Sequence, residues 1–434
     1  MTAQKPLNVL LLGSGGRESA LAYKISQSPL KGRLFVAPGN AGTGRYGTVL
    51  NFAASDFDAV CKAVEEHEID LVVVGPEDPL VLGLREALDA RPAGCRPVAM
   101  LGPGADGAAL EGSKDFAKLF MGRHGIPTAR HLTVTAETIA DGEAFLTTLN
   151  PPFVLKADGL AAGKGVLIEP SLEAARASLR TMLGGQFGAA SAKVVIEEFL
   201  SGIECSVFVI TDGKGNYRIL PPAKDYKRAG DGDTGLNTGG MGAVCPPPFA
   251  DAEFMKKVEE RVVRPTVEGL IADGIDYRGF IFLGLMDSDG DPMVIEYNVR
   301  MGDPETEAVM PRIASDILPV MYHAALGQLT DSDIVVTDPR AAVTVVAVAG
   351  GYPGKYEKGK VISGKLEPEH SIVFHAGTRI GEGGHPVTAG GRVLAVTSLA
   401  DTLKDAAKAS YAALADIHFE GMRFRSDISA DVTD

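Results

Sequence analysis

Glu296, Asn298 and Arg300 stand two residues apart in the stretch Val294-Ile295-Glu296-Tyr297-Asn298-Val299-Arg300. On a strand this period puts them on one face, with Val294 continuing that face toward the core and Ile295, Tyr297 and Val299 on the other. A carboxylate and an amide oxygen in line suit Mg²⁺, which takes few protein ligands and completes its shell with phosphate oxygens and water. Arg300 would stand beside that cation, facing an anion. Upstream, Lys156-Ala157-Asp158-Gly159 and Ala162-Gly163-Lys164-Gly165 set two lysines eight residues apart, one on a strand and one in a glycine turn. They could grip a polyphosphate from two sides while the turn closes as a lid; a plain surface hairpin is the competing reading. No G-x-x-x-x-G-K-[ST] occurs, so the cluster is not a P-loop.

A further glycine-rich turn, Gly13-Ser14-Gly15-Gly16-Arg17-Glu18, follows the first apolar run and opens a helix. Its N–H groups and the helix dipole would favour a phosphate, although such turns also serve packing alone. Dinucleotide binding is disfavoured, because Glu18 stands where G-x-G-x-x-G needs Gly or Ala and no acid follows the second strand. Pro38-Gly39-Asn40-Ala41-Gly42-Thr43 and Gly75-Pro76-Glu77 would join the turn at the same carboxyl edge of a sheet, where ligands collect. Val194 to Phe199 runs apolar into Glu197 and Glu198, which point to opposite faces of a strand; one could accept from a ribose hydroxyl, or both could be a solvated strand end.

These residues need a scaffold, and the chain supplies one in three parts. Val9–Leu12, Arg33–Val36, Leu71–Val74 and Val98–Leu101 are short apolar runs that alternate with helical stretches, the rhythm of a parallel sheet. After Gly102-Pro103-Gly104, Lys114–Arg123 reads as a helix, and strands and helices then mix in an α+β pattern. There Glu204–Ile210, Phe280–Met286 and Pro292–Asn298 suggest an antiparallel sheet. From Asp225 to Ala243 six glycines mark a long loop of functional character. Beyond Thr337-Asp338-Pro339 a smaller unit holds three strands and one helix over Leu399–Ile417.

With 434 residues the chain is long enough for several domains, and its formal charge of −14 argues against nucleic acid and anionic membrane surfaces as partners. No apolar run is long enough to span a bilayer, no export signal is visible, and four separated cysteines suggest neither zinc nor disulfides, so a reducing cytoplasm is expected. The eight histidines show no metal-binding spacing, and His375 reads as structural.

Taken in order, GSGGRE, PGNAG, GPE, LEGSK (Leu110–Lys114), KADGLAAGKGV (Lys156–Val166), IEEFLSGIE (Ile196–Glu204), DTGLNTGGMGA (Asp233–Ala243) and EYNVRMGDPE (Glu296–Glu305) resemble the phosphoribosylamine–glycine ligases of the ATP-grasp superfamily. AGGYPG, FHAGT and GGRVLAV extend the resemblance over nearly the whole chain. It implies an α/β and α+β multidomain fold: a Rossmann-like N-terminal domain over 1–104, an ATP-grasp unit over 105–332 with a mobile lid at roughly 127–196, and a small α+β C-terminal domain over 333–434. The implied reaction joins glycine to 5-phosphoribosylamine through glycyl phosphate, with ATP as substrate and Mg²⁺ or Mn²⁺ as cofactor, in purine synthesis. The resemblance assigns ATP to Lys114, Lys156, Lys164, Glu197, Glu198, Phe199 and Glu204, and the metal to Glu296 and Asn298. Phosphoribosylamine falls to Gly15, Gly16, Arg17, Glu18, Asn40, Gly42 and Thr43, and catalysis to Arg300, Asp303 and Asp225. A monomer acting on small molecules is expected. Ser19 replaces the family's usual His, Tyr297 and Met301 replace Phe, and Phe280–Met286 lacks the acid that many other ATP-grasp enzymes place there. Another ATP-grasp carboxylate–amine ligase and a non-catalytic nucleotide sensor are the alternatives.

Overall fold

A computed structural model describes residues 5–159 and 165–433. The turn expected to act as a lid, with Ala162, Gly163 and Lys164, lies outside the described residues. Near the N-terminus five parallel strands stand in the order Thr48–Val49, Lys31–Pro38, Leu7–Gly13, Leu71–Val74, Ala99–Leu101. Burial on both faces explains their unbroken apolar sequences: Val9 and Leu11 enter one core while Leu10 and Leu12 enter another. The glycine turn, Asn40 and Glu77 follow three of these strands at their carboxyl ends.

An antiparallel sheet of four strands carries the Glu296 segment, in the order Tyr217–Ile219, Ile203–Asp212, Arg278–Ser288, Asp291–Asn298. Glu296 pairs with Gly284 and Val294 with Leu285, so Ile295 is an extra residue in a β-bulge. The bulge corrects the alternation expected from sequence. Val294 lies in the same buried cluster as Tyr297, Val299, Leu283 and Leu285, on the face opposite Glu296 and Asn298.

His131–Val134, Val194–Glu198, Phe153–Ala157 and Val166–Glu169 form a separate antiparallel sheet with its own core, packed against the Leu172–Thr181 helix. Two further strands complete the last large sheet in an unexpected way: Lys224–Asp225 and Gly242–Cys245 join Ala341–Val348, Arg392–Ala400 and Ser371–His375. The stretch 225–243 is therefore no open loop. Its ends are strands of that sheet, and Arg228–Gly230 pairs with Thr234–Asn237 as a hairpin between them. The long helix expected over 399–417 begins only at Leu403, since the preceding strand runs on to Ala400 and Thr402 caps the helix.

Candidate active site

Lys114 opens the Lys114–Arg123 helix, whose first turn is fixed by the Ser113 hydroxyl accepting from the Phe116 N–H at 3.1 Å. Asp158 joins this helix to the strand ending at Ala157: it accepts from the Ser113 hydroxyl at 2.9 Å and from the Asp115 N–H at 3.2 Å. Lys114 Nζ then donates to the Gly159 carbonyl at 3.0 Å. Lys156 reaches across to the bulge and donates to the Ile295 carbonyl at 3.1 Å. Burial tends to raise the Glu296 carboxyl, yet Lys227, Lys156, Lys114 and Arg300 together hold it below the usual carboxylate value. Four cations thus converge on one carboxylate.

Glu296 and Asn298 share a face, and neither side chain has a hydrogen-bond partner among the described residues. Among those residues no group of three or more His, Cys, Asp or Glu side chains forms a complete metal site. A pair of unengaged oxygen donors beside phosphate-binding lysines fits a divalent cation that takes its other ligands from phosphate and water. Opposite Glu296 stands Gly284, where a Cβ would lie 3.1 Å from Glu296 Cγ, so the adjacent strand offers no further carboxylate at that point.

Beside this cleft the extended segment 224–227 brings Asp225 and Lys227 toward Glu204 and Glu305. Lys227 pairs with Glu204, and the Ser206 hydroxyl donates to Glu305 at 3.0 Å. Burial pushes Glu305 up to about 7, with Asp225 adding to the shift. Burial also raises Asp225, which Lys227 partly opposes.

The cleft's composition agrees with comparisons across the whole chain. Residues 7–111, 112–306 and 342–431 match the N domain, the ATP-grasp (A) domain and the C domain described for phosphoribosylglycinamide synthetase. The chain belongs to the phosphoribosylglycinamide synthetase family. Relatives named phosphoribosylamine–glycine ligase from Escherichia coli and Vibrio cholerae are each 46% identical over 430 residues, covering 97% of this chain and 98% and 97% of their own. A crystal structure of phosphoribosylamine–glycine ligase from Thermotoga maritima matches with a TM-score of 0.85 at 37% identity, over 97% of this chain and all of that one. A biotin carboxylase from Campylobacter jejuni, TM-score 0.74 at 14% identity and covering 98% and 94% of the two chains, shares the fold.

Within this ATP-grasp ligase the sequence-derived nucleotide residues divide. The charges of Lys114 and Lys156 act on Glu296, and Phe199, one residue past its strand, is 40% exposed. Glu197 is not available to a ribose. It is buried between Lys156 Nζ at 2.9 Å and Lys118 Nζ at 2.8 Å, and Lys118 also donates to Thr128 at 2.7 Å. Burial opposes ionisation of Glu197, but the two lysines keep its carboxyl below the usual value, while burial pushes Lys118 down to about 8. Glu198 accepts from the Arg130 N–H at 2.8 Å, and Glu204 is held by Lys227.

Arg300 is more engaged than its place in the motif implied. It donates to Glu77 at 3.1 Å and to Glu111 at 2.7 Å, and Glu111 also accepts from the Val299 N–H at 2.8 Å. Burial pushes Glu111 up to about 7 despite Arg300. Glu111, Lys118 and Lys227 were not singled out by sequence, although Glu111 lies within LEGSK, immediately before Gly-Ser-Lys.

The glycine turn also departs from expectation. Glu18 accepts from the Gly15 N–H in a capping box and from Arg17 Nε at 2.8 Å. Arg17 donates through its side chain to the Met301 carbonyl at 3.0 Å and through its backbone to Asp303 at 3.4 Å. Asp303 in turn lies 3.0 Å from Arg392. Two of the turn's N–H groups therefore already face carboxylates, and Arg17 is buried in structural bonds, so the phosphate expected there meets acid instead. Asn40 binds the elements together, donating to the carbonyls of Ser14 at 2.9 Å and His375 at 2.8 Å and accepting from the N–H groups of Gly42 and Thr43 at 2.9 and 3.2 Å.

Proposed function

We propose that this family member joins glycine to 5-phosphoribosylamine by first making glycyl phosphate from ATP, in the cytoplasm and as a step of purine synthesis. The convergence of Lys114, Lys156, Lys227 and Arg300 on Glu296 carries the reading, since it builds a polyphosphate and cation site at one strand end. Lys114 and Lys156 grip the phosphates from two elements. Glu296 and Asn298 would hold Mg²⁺ or Mn²⁺, which would supply neutralisation of the charge on the transferring phosphoryl group.

Glycine is a zwitterion, and the Asp225, Lys227, Glu305 group offers both signs of charge beside that site. A glycine carboxylate oxygen attacks the γ-phosphorus, the bond to the β-bridging oxygen breaks, and ADP leaves. The sugar amine then attacks the acyl carbon and inorganic phosphate departs. The carboxyl edge of the parallel sheet, where Asp303 is held by Arg392 and the Arg17 N–H, is the side from which phosphoribosylamine approaches, while Glu18 and Arg17 hold the glycine turn in shape. Arg300, locked by Glu77 and Glu111, ties the metal strand to the carboxyl edge of the parallel sheet.

Hydroxylamine trapping tests the first half-reaction. With ATP, divalent cation and glycine alone, glycine hydroxamate should accumulate, and Glu296→Ala should abolish it while retaining the wild-type circular dichroism spectrum. Hydroxamate formation by Glu296→Ala at the wild-type rate in limiting Mg²⁺ would remove the metal assignment.

A further inference from the structure

The stretch between Lys224 and Cys245 leaves the body of the protein as a polar hairpin whose second strand, Thr234–Asn237, is wholly exposed. Such an excursion has little apolar contact to fix it, yet its base carries Asp225 and Lys227. Beyond the sheet pairing at its base and the Arg392 bond to Gly239, what holds it is the last stretch of the chain. Tyr226, 3% exposed, lies in the same buried cluster as Ile428 of that stretch. Its hydroxyl donates to Asp431 at 2.5 Å and accepts from the Ser429 N–H at 3.1 Å. Lys224 Nζ lies 3.8 Å from the centre of the Tyr226 ring and 2.9 Å from the other Asp431 oxygen, and the Arg425 guanidinium lies 5.3 Å from the same ring.

Further out the same terminal stretch follows the hairpin. Arg425 donates to the Arg228 carbonyl at 3.2 Å and lies 3.3 Å from Asp233. Asp427 accepts from the Gly232 N–H at 2.7 Å, and the Ser426 N–H and hydroxyl donate to the two Asp231 oxygens at 2.9 and 2.5 Å. Arg425 is itself held by both Asp427 oxygens at 2.8 Å, a fork that fixes its plane. Reciprocal backbone bonds between Arg423 and Val348, at 2.7 and 3.0 Å, anchor the stretch to the large sheet.

We propose that residues 423–433 form a strap that fixes the substrate segment, with Arg425 and Asp431 acting as positioning residues for Asp225 and Lys227. In an extended chain neighbouring side chains alternate in direction, so seating Lys224 and Tyr226 on the strap turns Asp225 and Lys227 to the cleft. The inference rests on the assignment of glycine to the Asp225, Lys227, Glu305 group.

The test uses the full chain with Asp431→Ala, Asp431→Asn and Ser426→Ala, all at positions exposed enough to leave the core intact. Hydrogen–deuterium exchange over residues 225–241 and steady-state kinetics in glycine and in ATP are measured together. Asp431→Ala should speed exchange across 225–241 and raise KM for glycine at least tenfold, with KM for ATP within twofold. Asp431→Asn keeps an acceptor for Tyr226 and should restore most of both; Ser426→Ala should speed exchange in the hairpin alone. Unchanged exchange, or equal changes in both KM values, overturns the strap. If the wild-type chain showed no glycine-dependent turnover, the functional assignment would fail, and the exchange data would still decide whether the strap orders the segment.

Discussion

Glu197 and His375 show how differently two buried polar residues behave. Glu197 lies between Lys118 and Lys156, with its carboxylate oxygens 2.8 and 2.9 Å from their nitrogens. Removing one charge from a buried ion-paired group leaves its partners uncompensated, at a cost of about 3–5 kcal/mol. Glu197→Gln should therefore lower the urea midpoint and weaken ATP binding, because Lys156 loses the partner that aims it; isothermal titration with an unreactive ATP analogue reads the second effect. Among the described residues His375 has no partner on Nε2, and burial, assisted by the Arg45 charge, pushes its imidazole down to about 4. In the unfolded chain it titrates near 6.5, so between roughly pH 6.5 and 4 only the unfolded state takes up this proton. Its contribution to stability is complete above pH 6.5 and is lost as pH falls, by up to about 3 kcal/mol near pH 4. Urea midpoints at pH 7.5 and 5 should differ more for the wild type than for His375→Gln. The types and spacing of Lys114, Lys156, Glu296 and Asn298 made them legible in sequence because each belongs to one short local pattern. The commitments of Glu197, Arg17 and Arg300 were not, because their partners come from distant segments, as with Arg17 and Met301, 284 positions apart.

At the level of elements, the parallel strands and the Lys114–Arg123 helix could be read from apolar runs and caps, which are local signals. The bulge at Ile295 could not, because one inserted residue reverses the alternation without changing the composition. Pairing of Gly242–Cys245 with Ala341–Val348 was equally hidden, since it joins strands nearly a hundred residues apart. Gly240 shows how closely the substrate segment meets the metal strand's continuation. Its φ is +117°, and a Cβ there would lie 2.3 Å from Pro304 Cδ. Gly240→Ala must strain the backbone and displace the turn after Asp303, at a cost of about 1–3 kcal/mol. A lowered thermal midpoint together with a fall in kcat is the expected outcome; an alanine accommodated with both unchanged would show that the two elements move independently.

Across the whole molecule, the carboxyl edge of the parallel sheet, the bulged metal strand and the segment carrying Asp225 and Lys227 meet around one cleft. Arg17, Glu77, Arg300 and Glu111 connect the first two, and Arg392 connects Asp303 with Gly239 of the substrate segment. Such cross-linking suits a ligase that must keep a reactive acyl phosphate from water until the amine arrives. No helix among the described residues is long and apolar enough to cross a membrane. The family and its three-part order were legible from motifs alone, whereas the cross-links that unite the parts depend on contacts between them. The most direct measurement is ATP-dependent phosphate release by the purified chain with Mg²⁺, with glycine and in-situ-generated phosphoribosylamine added separately and together, while mass spectrometry follows the glycinamide product. Sustained release and product only when both substrates are present is the expected result. Nucleotide binding without turnover, or turnover driven by bicarbonate in place of glycine, would contradict it.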